Sequence, residues 1–122
     1  MIRDILKDFI LYLAIERSKS EATIRAYESD LIQFIDYLES ELDKKVKPSD
    51  VDYIALRSFL GMLSREGYST RSIARKIASL RSFFGYCMKK KVIEDDPTIS
   101  LSTPKLEKTL PVFATKNAVE TM

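Results

Sequence analysis

Two short stretches share one pattern. Ser20-Glu21-Ala22-Thr23-Ile24-Arg25 and Ser69-Thr70-Arg71-Ser72-Ile73-Ala74-Arg75 each open on a serine suited to cap a helix and place an arginine within the next turn or two. A helix N-terminus presents unpaired backbone N–H groups and a positive dipole end, both of which attract phosphate. An arginine there can reach the O6 and N7 acceptors of guanine in a major groove. Ser72, Arg75, Ser79 and Ser82 recur as a polar stripe beyond the second cap, with Arg71 and Lys76 beside it. Small hydroxyls between arginines leave a helix face that can approach another surface closely. Many helices begin with Ser or Thr, so the pattern establishes a capacity for anion and base-edge contacts, not a function.

The charge distribution points the same way. Residues 1–66 carry 13 acids and 10 bases, and residues 92–122 carry 5 acids and 3 bases. Between them, residues 67–91 carry 7 bases and no acid: Arg71, Arg75, Lys76, Arg81, Lys89, Lys90 and Lys91. A concentrated positive segment in a chain of net charge +2 marks a polyanion-binding face. The alternative, a merely solvated helix face, fits mixed charge better than an uninterrupted basic run. Lys89 to Lys91 also suit the negative end of a helix dipole.

Catalytic chemistry is nearly absent. The chain has no histidine, which excludes imidazole acid–base catalysis, Ser-His-Asp triads and His-bearing metal sites. Glycines at 61, 67 and 85 cannot build a phosphate-cradling loop. Asp95-Asp96, adjacent at a helix end, is poorly placed to converge on one metal ion, so no metal or other cofactor is expected. Cys87 is the one cysteine; it reads as a buried structural thiol and permits no intrachain disulfide, in keeping with a reducing cytoplasm. No apolar run has the roughly 18–20 residues of a membrane span.

The elements that position these residues are helical. Ile2, Ile5, Leu6, Phe9 and Leu13 predict a first helix ending near Arg17. Ser20 opens a second, with Ile24, Tyr27, Leu31, Phe34, Leu38 and Leu42 on one face. Asp50 or Asp52 caps a third, whose apolar set is Ile54, Leu56, Phe59, Leu60 and Leu63, and Gly67 ends it in the left-handed conformation. Ser69 caps a fourth that runs to about Lys91 around Ile73, Ile77, Leu80 and Phe84. After Asp96, Pro97, Pro104 and Pro111 interrupt a stretch with no helical period, which reads as an extended linker. Thr115 looks like the cap of another helix cut short at Met122. The expected organisation is therefore an all-α bundle over 1–96, a linker over 97–113, and over 114–122 the truncated first helix of a further domain.

Four stretches in order carry a family resemblance: SEATIRAYESDLIQFIDYL (20–38), GYSTRSIARKIASLRSFFGYCM (67–88), Glu94-Asp95-Asp96-Pro97, and STPKLEKTLPVFATKNAVE (102–120). The chain resembles the N-terminal core-binding, SAM-like domain of tyrosine site-specific recombinases, most closely the bacterial Xer type. The resemblance implies an orthogonal bundle of four helices, of which the second and fourth lie across the major groove of a recombination half-site. Carried over position by position, Thr23, Arg25 and Ala26 fall on the groove-facing turn of helix two. Arg71, Ser72, Arg75, Lys76 and Ser79 fall on that of helix four, with Ser69 at its cap and Lys105 and Lys108 in the backbone-tracking linker. Arg75 and Arg71 are assigned to bases, and Thr23, Arg25, Lys76, Ser69 and Ser79 chiefly to phosphates. Ala26 departs from the larger side chains that some relatives of that family carry there, and no base contact is assigned to it. Arg81, next to the core stripe, either pairs with a helix-three carboxylate or meets DNA.

The resemblance further implies a parent enzyme that breaks and rejoins DNA through a phosphotyrosine intermediate, with its catalytic set in the domain beyond this chain. The fragment itself would then lack cleavage activity. Its partners would be double-stranded DNA and, at full length, other recombinase protomers in a tetrameric synapse; alone it would be a cytoplasmic monomer. Chromosome-dimer resolution and phage or transposon integration are both served by such a bundle. Two other classes compete: a SAM-like protein–protein module, which requires an exposed apolar patch, and a helix-turn-helix regulator, which requires one recognition helix and a dimer interface.

Overall fold

The computed structural model describes residues 1–101. The order is α1 (Ile2–Ile15), α2 (Glu21–Leu42), a 3₁₀ turn (Pro48–Asp50), α3 (Tyr53–Arg65) and α4 (Thr70–Lys89). The architecture is all-α, as expected. Lys105, Lys108, most of the expected linker and the segment 114–122 lie outside the described residues.

α2, α3 and α4 each begin where a side chain satisfies an orphan N–H, while α1 starts after Met1 without a side-chain cap. Ser20 Oγ accepts from Thr23 N at 3.2 Å, Asp52 Oδ1 from Ala55 N at 2.8 Å, and Ser69 Oγ from Ser72 N at 3.1 Å. Of the two aspartates proposed for α3, Asp52 is the cap; Asp50 instead accepts from Lys47 N at 2.9 Å and closes the 3₁₀ turn. At the C-terminus of α3, Gly67 takes φ 90°. Its N–H reaches Ser64 O and that of Tyr68 reaches Leu63 O, the paired bonds of a Schellman motif. The turn sends the chain directly into α4.

The core is built on phenylalanines. Phe9, Phe34, Phe59, Phe83 and Phe84 are all buried. Phe34 meets Phe59 edge-on at 5.1 Å, and Phe9 meets Phe83 at 5.5 Å. α2 and α4 each pack on all three other helices, so these two form the frame, and α1 and α3 complete it. Arg3 ties α1 to α2 through Asp36 (2.7 Å) and Glu39 (2.8 Å). Thr98 and Leu101 are buried, so the chain past Pro97 still lies on the bundle.

Two apolar positions depart from the expectation. Ile54 is 74% exposed: it lies two residues before Leu56, on the far side of a helix whose core positions are 56, 59 and 63. Leu42, the last residue of α2, is 45% exposed where the helix has run past the core.

Candidate nucleic-acid interface

The N-terminal turns of α2 and α4 are built alike. In each, the capping serine accepts from the backbone N–H three residues on, and its hydroxyl donates to the side chain there, Thr23 Oγ1 at 2.9 Å and Ser72 Oγ at 3.1 Å. Ser20 and Ser69 are exposed, while Thr23 and Ser72 are half-buried. Arg25, one turn into α2, pairs with Glu21 at 2.9 Å, both side chains well exposed. Such a pair contributes under about 1 kcal/mol and exchanges readily for another anion. Arg71 is exposed and has no ion pair among the described residues.

Between the two helices lies a buried ionic cluster. Asp30, on α2, is 2% exposed. It accepts four hydrogen bonds from α4: Arg75 Nε (3.2 Å) and Nη2 (2.7 Å), Lys76 Nζ (2.9 Å) and Ser79 Oγ (2.9 Å). That fills the roughly four lone-pair sites of a carboxylate. Burial pushes the Asp30 carboxyl up, but the bonds from Arg75, Lys76 and Ser79 outweigh it and hold it below the usual carboxylate range. Tyr68 closes the cluster from outside: Lys76 Nζ lies 5.3 Å from its ring centre, and its hydroxyl accepts from Gln33 Nε2 at 2.9 Å.

This arrangement corrects the polar stripe read from the sequence. Lys76 (5% exposed) and Ser79 (0%) are interior residues. Both face Asp30 across the α2–α4 packing, because positions 76 and 79 share the side of α4 that carries Ile77, Leu80 and Phe83. Neither is available to a phosphate. Arg75 bridges the two environments. Its Nε and Nη2 are held by Asp30, its side chain is 55% exposed, and Nη1 has no hydrogen-bond partner among the described residues. A guanidinium gripped along one edge keeps the Nη1–Nη2 edge as an outward fork, the donor geometry that matches paired acceptors.

Asp30 was missed in the sequence although a signal existed: it is an acid at core spacing, three residues after Tyr27 and four before Phe34. Lys76, three residues after Ile73, repeats the signal on α4. Arg81 donates to the carbonyl of Leu101, and α3 contains no carboxylate to receive it. Cys87 is fully buried, and burial pushes its thiol up to about 12. Asp96 accepts from Thr98 N and Oγ1, at 2.8 and 2.6 Å, which is a turn. No group of three or more His, Cys, Asp or Glu side chains among the described residues could hold a metal, and no helix among them is long and apolar enough to cross a membrane.

Four helices, three of them opened by a side-chain cap, with a basic fourth helix framed on the second define a small SAM-like helical domain. Residues 6–91 match the family described as phage integrase, N-terminal SAM-like domain, and the chain belongs to that family. It is 35% identical over 111 residues to the tyrosine recombinase XerC of Pelotomaculum thermopropionicum, covering 88% of this chain and 36% of that protein. It is 38% identical over 119 residues to the tyrosine recombinase XerD of Listeria monocytogenes serovar 1/2a, covering 98% and 40%. The XerC of Syntrophus aciditrophicus is 41% identical over 113 residues, covering 88% and 36%. The chain thus spans well under half the length of these curated relatives. No solved structure matches it.

Proposed function

We propose that this chain is the DNA-binding domain of a tyrosine recombinase and that it lies across the major groove of a recombination half-site with α2 and α4. The observation that carries the reading is Arg75, anchored on Asp30 and presenting a free guanidinium edge beside the exposed Arg71. A positioned fork of this kind fits guanine O6 and N7, so Arg75 reads a base, and Arg71 one turn earlier reads a neighbour. Arg25, Thr23, Ser69 and Ser72 sit at the two capped N-termini, where phosphates are favoured. Lys105 and Lys108 track the backbone beyond the bundle. Strand cleavage belongs to the remaining length of the parent enzyme, which acts in the cytoplasm, in dimer resolution or integration, with other protomers of its kind.

The test is fluorescence anisotropy of the 122-residue chain with short duplexes across a salt series. Each neutralised phosphate contributes about −0.9 to the log–log slope. A slope of several contacts, with affinity lost in the Arg71→Ala/Arg75→Ala double variant, supports the reading. No binding at low salt overturns it. That outcome would favour a protein-docking module, for which Leu11 (59% exposed) and Ile15 (72%) on α1 provide an apolar surface.

A further inference from the structure

Ten residues past Arg75, α4 borders a second cationic feature. A groove of about 230 Å³ opens between the end of α1, the loop that follows it and the last turns of α4. Arg17 and Lys19 reach it from the loop, and Arg81 and Lys89 from α4, while no carboxylate lines it. The loop is held in shape by its own backbone: Arg17 N donates to Tyr12 O, Lys19 N donates to Leu13 O, and Ser18 turns the chain at φ 49°. Tyr12 forms one wall. Lys89 Nζ lies 5.0 Å from its ring centre. A hydrogen bond from Arg17 lowers the Tyr12 hydroxyl, and Lys89 adds to this against the opposing effect of burial. Arg17, Lys19 and Lys89 have no ion pair among the described residues.

The groove contains a glycine that packing does not explain. Gly85 lies inside α4, where glycine is unfavourable relative to alanine. A Cβ built there would meet nothing within 4 Å, so no neighbour in the fold requires its absence. A helix-interior glycine open to space, in a groove ringed by cations, is what close approach of a ligand requires. We propose that this groove is a phosphate-binding site, with Arg17, Lys19 and Lys89 as its cations and Gly85 as the floor over which the anion sits.

Two sources share that chemistry: a phosphodiester of bound duplex, or a free phosphate-bearing ligand. Gly85 lies about 15 Å along α4 from Arg75 at 1.5 Å per residue, comparable with a major groove about 12 Å wide. A strand flanking the base read by Arg75 is therefore within reach. The duplex source rests on the DNA-binding reading above; the anion site itself does not.

The experiment uses the whole 122-residue chain and inorganic phosphate as probe, followed by the amide resonances of Lys19, Gly85 and Lys89. A saturable shift at these positions is expected, lost in Gly85→Ala. That variant should also unfold a few degrees higher, since alanine favours the helix. Arg17→Gln and Lys89→Gln, both at exposed positions, should each weaken the phosphate shift and lower the duplex salt slope by about 0.9. A phosphate shift with unchanged slopes assigns the site to a free ligand, and it does so even if the chain binds no DNA. Absence of any saturable shift together with unchanged slopes overturns the proposal, as does a stabilised Gly85→Ala that binds phosphate and duplex like the parent chain.

Discussion

Arg75 grips Asp30 with two donors, Nη2 at 2.7 Å and Nε at 3.2 Å, across 45 residues of sequence and the seam between α2 and α4. The contact ties the arginine proposed to read a base to the packing between the two helices. Asp30 neutralises the buried Lys76, and in the same cluster it fixes the orientation of an arginine that reaches both core and solvent. A guanidinium already held loses less rotamer entropy when it meets a ligand.

Asp30→Asn should therefore be costly. It leaves Lys76 buried without its counter-charge, and breaking a buried pair in this way costs about 3–5 kcal/mol. Urea unfolding at neutral pH measures it. A loss under about 1 kcal/mol, the range of an exposed pair, would show that the cluster is hydrated in solution.

The same carboxylate sets an acid limit on stability. Its folded pKa lies below its unfolded value, so the stabilisation is present above about pH 4, the ordinary aspartate range, and is lost as pH falls through the folded pKa. Glu39, held down by Arg3, and Asp50, held down by the Lys47 N–H, act in the same direction. Unfolding free energy measured from pH 6 downward should be flat, then decline below about pH 4. The decline should be shallower in Asp30→Asn; identical pH profiles would contradict the linkage.

Lys76→Met separates the two roles of the basic segment. The variant loses a charged hydrogen bond worth about 1.5–3 kcal/mol and regains part of that through apolar packing, while Arg75 and Ser79 still satisfy Asp30. Because Lys76 is buried, the salt slope for duplex binding should not change. A slope reduced by about 0.9 would return Lys76 to the phosphate contacts.

Arg75→Ala should weaken the specific half-site by about 1–3 kcal/mol and relax preference at one base pair. The comparison is anisotropy on the preferred and on scrambled duplexes, run beside Asp30→Asn. Equal loss on all sequences would make Arg75 a phosphate contact. An Asp30→Asn chain that folds and keeps full base preference would remove the anchoring role of Asp30.

Cys87, fully buried and with its thiol pushed up to about 12, should react with a thiol reagent only through unfolding. Labelling at neutral pH should follow the global unfolding free energy across a urea series. Rapid labelling in the absence of denaturant would show local opening of the end of α4.

Much of this protein is decided locally, and that part is legible in one dimension. Ser20 and Ser69 cap their helices because a hydroxyl three residues before an orphan N–H needs nothing from elsewhere in the chain. Gly67 turns the chain because of its own φ, and Phe34, Phe59 and Phe84 fall at helical spacing. The basic run on α4 and its two N-terminal arginines were visible in the same way, as was the family resemblance. Ile54 was misplaced because helical spacing alone does not say which of two apolar faces meets the core. The fates of Asp30, Lys76 and Ser79 depended on the tertiary structure. A polar residue goes inward only if a partner waits there, and these partners stand 46 and 49 residues apart in sequence. Packing α2 on α4 brings the four groups within hydrogen-bond reach, so two residues that read as surface contacts became interior ones. Arg75, one helix position from Lys76, was left holding both sides.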